Sequence, residues 1–157
     1  IVGQESKSRG DYTASEDDNT LVQGVSSDKN GLGFFGFAYY LNNKDKLKLV
    51  GIDSGKGCVK PSDETINNGT YQPLSRPEFI YISKKSSTKP EVKAFVDFQL
   101  NVANKKLISE VGYISLPDDL MKEVQARFTA GKTGSVFAGK GSQVGVTLKD
   151  LIKQESK

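Results

Sequence analysis

Residues 8–16, Ser-Arg-Gly-Asp-Tyr-Thr-Ala-Ser-Glu, gather the groups in this chain best suited to hold a small anion. Arg9 stands four positions before Thr13 and six before Ser15. The pattern predicts a helix opening near Thr13 or Ser15. Their hydroxyls would cap exposed N–H groups, and Glu16, Asp17 and Asp18 would place negative charge on the first turn. Thr13 and Glu16 also have the capping-box spacing. A helix start offers unpaired N–H groups and partial positive charge, which suits an oxyanion. Arg9 adds a planar, two-pronged donor that matches phosphate. The Thr13 and Ser15 hydroxyls and the Ala14 and Ser15 amides complete a shell of neutral donors. Asp11 can hold the guanidinium, since fixing a free Arg side chain costs entropy. Two plainer readings fit the same residues. Thr13 and Ser15 can simply cap a helix, with Arg9 a solvated loop residue, or Arg9-Gly10-Asp11 can serve as an adhesion tripeptide.

Composition excludes much other chemistry. The chain has 157 residues, about one domain's worth, with no His, no Trp, one Cys and one Met. Without His there is no Ser-His-Asp or Cys-His catalysis and no common zinc site. The similarity of Ile1-Val-Gly-Gln and Asp53-Ser54-Gly55 to trypsin-like strings therefore carries no catalytic meaning. A single Cys58 excludes an internal disulfide and an iron–sulfur cluster. A net charge of +3 is too small to suggest nucleic-acid binding. No apolar run approaches a membrane span; the longest, Gly31 to Leu41, contains three glycines. The start turns polar at once and lacks an initiator Met, so the sequence reads as a processed or excised segment without a signal peptide. The expectation is a binding protein, not an enzyme, with no metal or cofactor.

The elements that must position these groups are mixed helix and strand. Leu21, Val22 and Val25 lie at helical spacing behind the first cap, and Ser26 to Gly31 reads as a loop. The aromatic run to Leu41 predicts a short strand or tight turn leading into a helix and core packing, with glycine allowing close backbone approach. Leu47 to Ile52 reads as a strand, and Pro61 opens a short helix over Ser62 to Asn67. Phe79-Ile-Tyr-Ile-Ser83 reads as a buried strand, with Lys84, Lys85 and Lys89 guarding its end. An apolar stripe of Val92, Phe95, Val96 and Leu100 predicts a helix from about Pro90 to Asn104, followed by a short one holding Leu107, Ile108 and Val111. Pro117-Asp118-Asp119 starts another, with Leu120, Val124 and Phe128 on one face and Gly131 ending it. Patterning returns from Val144 to Leu151.

Three strings carry a resemblance: Ser8 to Asp18, Val22 to Tyr40 and Tyr71-Gln-Pro-Leu-Ser-Arg-Pro77. In this order and spacing they resemble the extracytoplasmic, PstS-type phosphate-binding receptors of ABC phosphate importers. The likeness runs through most of residues 8–83 and more loosely to Val146. It implies an α/β, type II periplasmic-binding-protein-like fold of two lobes that close over one phosphate, here only its C-terminal half. The family's second-lobe phosphate motif falls on Arg9, Asp11, Thr13, Ala14 and Ser15, with Ala14 where Gly is usual. The resemblance implies that residues 1–76 belong to the second lobe and 77–89 form a crossover strand and linker. Residues 90–157 would be C-terminal helices returning to the first lobe. It also implies the partners: inorganic phosphate, a membrane ABC permease and the N-terminal half of the same receptor, with no nucleic acid. The implied location is periplasmic or extracytoplasmic, with membrane association through the missing N-terminal portion. A receptor for sulfate or molybdate would share these lobes.

Overall fold

The computed structural model describes residues 10–135 and 146–155. Among them run seven α-helices, one 3-10 turn and two short strands: α1 (Asp18–Ser27), α2 (Phe37–Leu41), β1 (Ile52–Asp53), β2 (Cys58–Val59), α3 (Asp63–Asn67), α4 (Pro90–Gln99), the 3-10 turn (Val102–Asn104), α5 (Lys105–Glu110), α6 (Asp118–Thr129) and α7 (Leu148–Glu155). The chain divides into two compact units. One is Ile1–Val50 with Val111–Tyr113; the other is Gly51–Glu110 with Ile114–Lys157.

In the first unit α1 packs on α2, burying Val22 and Ala38. The helix start differs from expectation by one turn. Asp17, not Thr13 or Ser15, is the N-cap, its carboxylate accepting from the Asn19 amide at 3.0 Å, with Asp18 in the first turn. Asp17 outcompetes the hydroxyls because an ionised acceptor makes the stronger cap bond. The aromatic run is only partly core: Phe37 stacks on Tyr40, but Leu32 and Phe34 are exposed. Glycine does permit close approach here. A Cβ on Gly33 would collide with Cγ2 of Val25, whose branched side chain has little room to turn.

Gly112 explains how Val111–Tyr113 joins this unit. Its φ is +86°, and an added Cβ would sit 3.1 Å from Cβ of Ala38. Gly112→Ala is therefore expected to lose about 1–2 kcal/mol from the left-handed backbone alone. Thermal unfolding checks this, and an unchanged midpoint would contradict the packing.

In the second unit β1 pairs antiparallel with β2, Ile52 opposite Val59 and Asp53 opposite Cys58. Asp53 shapes the turn by accepting from the amides of Gly55 and Gly57 at 2.7 and 3.0 Å. The strand predicted over Leu47 to Ile52 is thus reduced to its last residue and Asp53, because among the described residues only that end finds a partner. α3 follows the expected signals closely: Ser62 accepts from the Thr65 amide in a reciprocal capping box.

Residues 75–83 adopt neither helix, turn nor strand, and Phe79, Ile80 and Tyr81 are exposed. The buried strand expected over 79–83 does not form here. A strand needs a neighbour for its backbone groups, and strand pairing among the described residues is confined to β1 and β2.

α4 stops at Gln99 instead of reaching Asn104. The Asn101 side chain takes the Ala103 amide at 2.9 Å and starts a new turn, while Asn104 Nδ2 donates back to the Phe98 carbonyl at 2.8 Å. α6 starts where expected, with Asp118 and Asp119 in the first turn and Arg127 in the last; of the expected face Leu120 is buried and Val124 and Phe128 are half-buried, while Met121 beside them is buried. It packs on α7, which buries Leu151 and Ile152. Val96 of α4, 1% exposed, and Met121, 2% exposed, are the most deeply buried large side chains.

Lys149 of α7 donates to Asp119 of α6 at 3.0 Å. That hydrogen bond holds the Asp119 carboxyl below its ordinary value of 3.8, and the same bond raises Lys149 above 10.5. The depressed carboxylate contributes stability that is present above the ordinary value and lost as pH falls through the lowered one. The raised ammonium contributes below its ordinary value and loses that contribution as pH rises through the raised one. Both groups face solvent, so the effect is small and screened by salt. Asp119→Asn is expected to melt slightly below wild type at neutral pH, with the gap closing in acid and in high salt. A gap that persists in acid would contradict this pairing.

Candidate functional site

The segment expected to hold the anion is described from Gly10 onward; Arg9 lies outside the described residues. Asp11, Thr13 and Ala14 are exposed and Ser15 is half-buried, all in irregular chain ahead of α1. The amides of Thr13, Ala14 and Ser15 therefore precede the helix and are not its first turn. Ser15 is engaged locally: its Oγ accepts from the Asp17 amide at 3.0 Å and donates to the Asp17 carbonyl at 3.1 Å. Thr13 and Ala14 make no hydrogen bond among the described residues, which leaves their donors facing solvent.

Asp17, expected only as an acid of the first turn, is instead the cap itself. Its Oδ1 accepts from both the amide and Nδ2 of Asn19, each at 3.0 Å, and Thr20 N donates to its carbonyl at 3.0 Å. The signal was present, since Asp is as good a cap as Ser and better than Thr. A carboxylate on the helix terminus already takes up part of the positive dipole. Residues 8–18 hold one cation, Arg9, against Asp11, Glu16, Asp17 and Asp18. Within residues 8–18, Arg9 is the one side chain that could offer an anion favourable charge.

Elsewhere the described residues offer less. No group of three or more His, Cys, Asp or Glu among them can hold a metal ion, and none of their helices is long and apolar enough to cross a membrane. Burial alone pushes the Tyr71 phenol upward, the mark of packing and not of a poised acid. Cys58 is exposed.

No family model matches the chain. It is 52% identical over 148 residues to Protein SphX of Synechococcus elongatus, covering 94% of this chain and 43% of that protein. With Protein SphX of Synechocystis sp. the identity is 45% over 157 residues, 99% of this chain and 46% of the relative. Phosphate-binding protein PstS of Staphylococcus haemolyticus is 39% identical over 109 residues, 68% of this chain and 34% of its own length. A crystal structure of a possible phosphate binding protein from Planctomyces limnophilus DSM 3776 aligns with a TM-score of 0.60 at 45% identity, over 80% of this chain and 45% of that one. The mixed helix-and-strand chain is therefore a partial α/β fold of the periplasmic-binding-protein kind. More particularly, it is a partial chain of the PstS type. It spans a little under half the length of the two SphX relatives, 43% and 46%.

Proposed function

We propose that these residues are part of a two-lobe receptor that captures inorganic phosphate without making or breaking a bond and delivers it to an ABC permease for import. The observation that carries this reading is the 39% identity to a protein named for phosphate binding, joined to a 45% identical structural match of the same description. Residues 1–76 would contribute to the second lobe, 77–89 the crossover and linker, and 90–157 the helices returning to the first lobe. The N-terminal half of the receptor would supply the other side of the ligand shell, in a periplasmic or extracytoplasmic setting.

Within this reading Arg9 supplies charge and Asp11 orients it. Thr13 and Ser15 supply hydroxyl donors, and Ala14 its amide. The solvent-facing donors of Thr13 and Ala14 support that role. Ser15 must give up its bond to the Asp17 carbonyl before its proton can reach an anion. Competition binding across pH tests the ligand class, because inorganic phosphate exchanges a proton near neutrality and sulfate does not. Phosphate affinity that changes through that range and resists sulfate and molybdate is expected; equal displacement by sulfate would assign the site to another oxyanion.

A further inference from the structure

Of the three neutral donors assigned to the anion, only Ser15 is held in place by the described chain. Thr13 and Ala14 make no hydrogen bond among the described residues, whereas Ser15 is half-buried and bonded twice to one neighbour. That neighbour is Asp17, whose amide donates to Ser15 Oγ at 3.0 Å and whose carbonyl accepts the Ser15 proton at 3.1 Å. The Asp17 backbone is itself fastened to α1. Its carboxylate accepts from the Asn19 amide and Nδ2, both at 3.0 Å, and Thr20 N donates to its carbonyl at 3.0 Å.

We propose that Asp17 is the positioning residue of this site: its cap on α1 fixes the amide that holds Ser15 Oγ, so that the Ser15 proton can swing from the Asp17 carbonyl to a phosphate oxygen about a stationary oxygen atom. No new site is involved, and the role rests on the reading that Ser15 meets phosphate. A donor held before the ligand arrives costs less ordering on binding. A hydroxyl has one proton and two acceptor lone pairs, so accepting from the Asp17 amide and donating to phosphate are compatible. The carbonyl that loses the Ser15 proton keeps Thr20 N as a partner and is not orphaned. Asp17 thus acts on an anion in two opposed ways: its charge repels, and its cap prepares a donor.

Calorimetric titration of inorganic phosphate into full-length Asp17→Asn and Asp17→Ala proteins separates the two. Both substitutions remove the same charge, but Asn caps a helix about as well as Asp and Ala does not. Asp17→Asn should bind at least as tightly as wild type. Asp17→Ala should bind roughly 3- to 30-fold more weakly than Asp17→Asn, the upper figure being the whole worth of a cap. Equal affinity in the two variants would overturn the proposal. In a Ser15→Ala background the difference should vanish, because the residue that Asp17 acts through is gone. A difference that persists there would also overturn it, since it would mark a merely structural effect of the helix. Should Asp17→Ala fail to fold, hydrogen exchange on the wild type decides. The Asp17 amide should stay at least as protected when phosphate saturates the protein; faster exchange would show that Ser15 lets go and would overturn the role. A wild type that takes up no phosphate would sink the ligand and this role with it, whereas binding in wild type with equal affinity in the two variants would sink Asp17 alone.

Discussion

Arg9→Ala is expected to weaken phosphate binding by about 30- to several-thousand-fold, equivalent to roughly 2–5 kcal/mol for a truncated buried charge partner. The size follows from the local charge balance. Residues 8–18 carry Asp11, Glu16, Asp17 and Asp18 against a single cation, and Asp17 already occupies the start of α1. The helix dipole is worth only about 0.3–1 kcal/mol at an exposed terminus, so it cannot replace the guanidinium. Arg9→Lys should recover part of the loss, since the charge stays but the two-pronged geometry goes. Calorimetric titration of the full-length protein reads both variants. Unchanged affinity in Arg9→Ala would remove Arg9 from the site.

Met121→Ala is expected to cost about 2–5 kcal/mol of stability. Met121 is 2% exposed on α6, the helix that packs on α7 and makes ion pairs through both of its first-turn acids, Asp118 with Lys105 and Asp119 with Lys149. Truncation opens a cavity that the surrounding helices close only in part, so the lost contacts add to the lost transfer energy. The exposed ion pairs cannot compensate, since such pairs contribute about 0–1 kcal/mol. Denaturant unfolding should show a lower midpoint with an unchanged slope. A midpoint within error of wild type would show that α6 is not part of the stabilising core.

Local signals were read well where they decide structure locally. The Ser62 capping box, Pro90 at the head of α4, and Pro117 with two acids before α6 each act within one turn, and each element formed where expected. Competition between adjacent local signals was harder to read. Three candidate caps, Thr13, Ser15 and Asp17, lie within five residues, and Asp17 won by charge, moving the helix start away from the proposed donors. Asn101 likewise cut α4 short by offering its backbone a side-chain partner. The strand at 79–83 shows the limit of local reading. Its composition states that both faces want cover, but pairing depends on residues distant in sequence, and among the described residues strand pairing is confined to β1 and β2. Arg9, Asp11, Thr13, Ala14 and Ser15 were legible as a donor set because the chemistry of anion binding favours those residue types. Their mutual geometry was not legible, since irregular chain has no period to fix it.

Titration of the natural full-length protein with inorganic phosphate tests the central claim most directly. Saturable binding of one phosphate per chain, undisturbed by excess sulfate, is the expected result. Absence of saturable phosphate binding, or equal binding of sulfate, would contradict it.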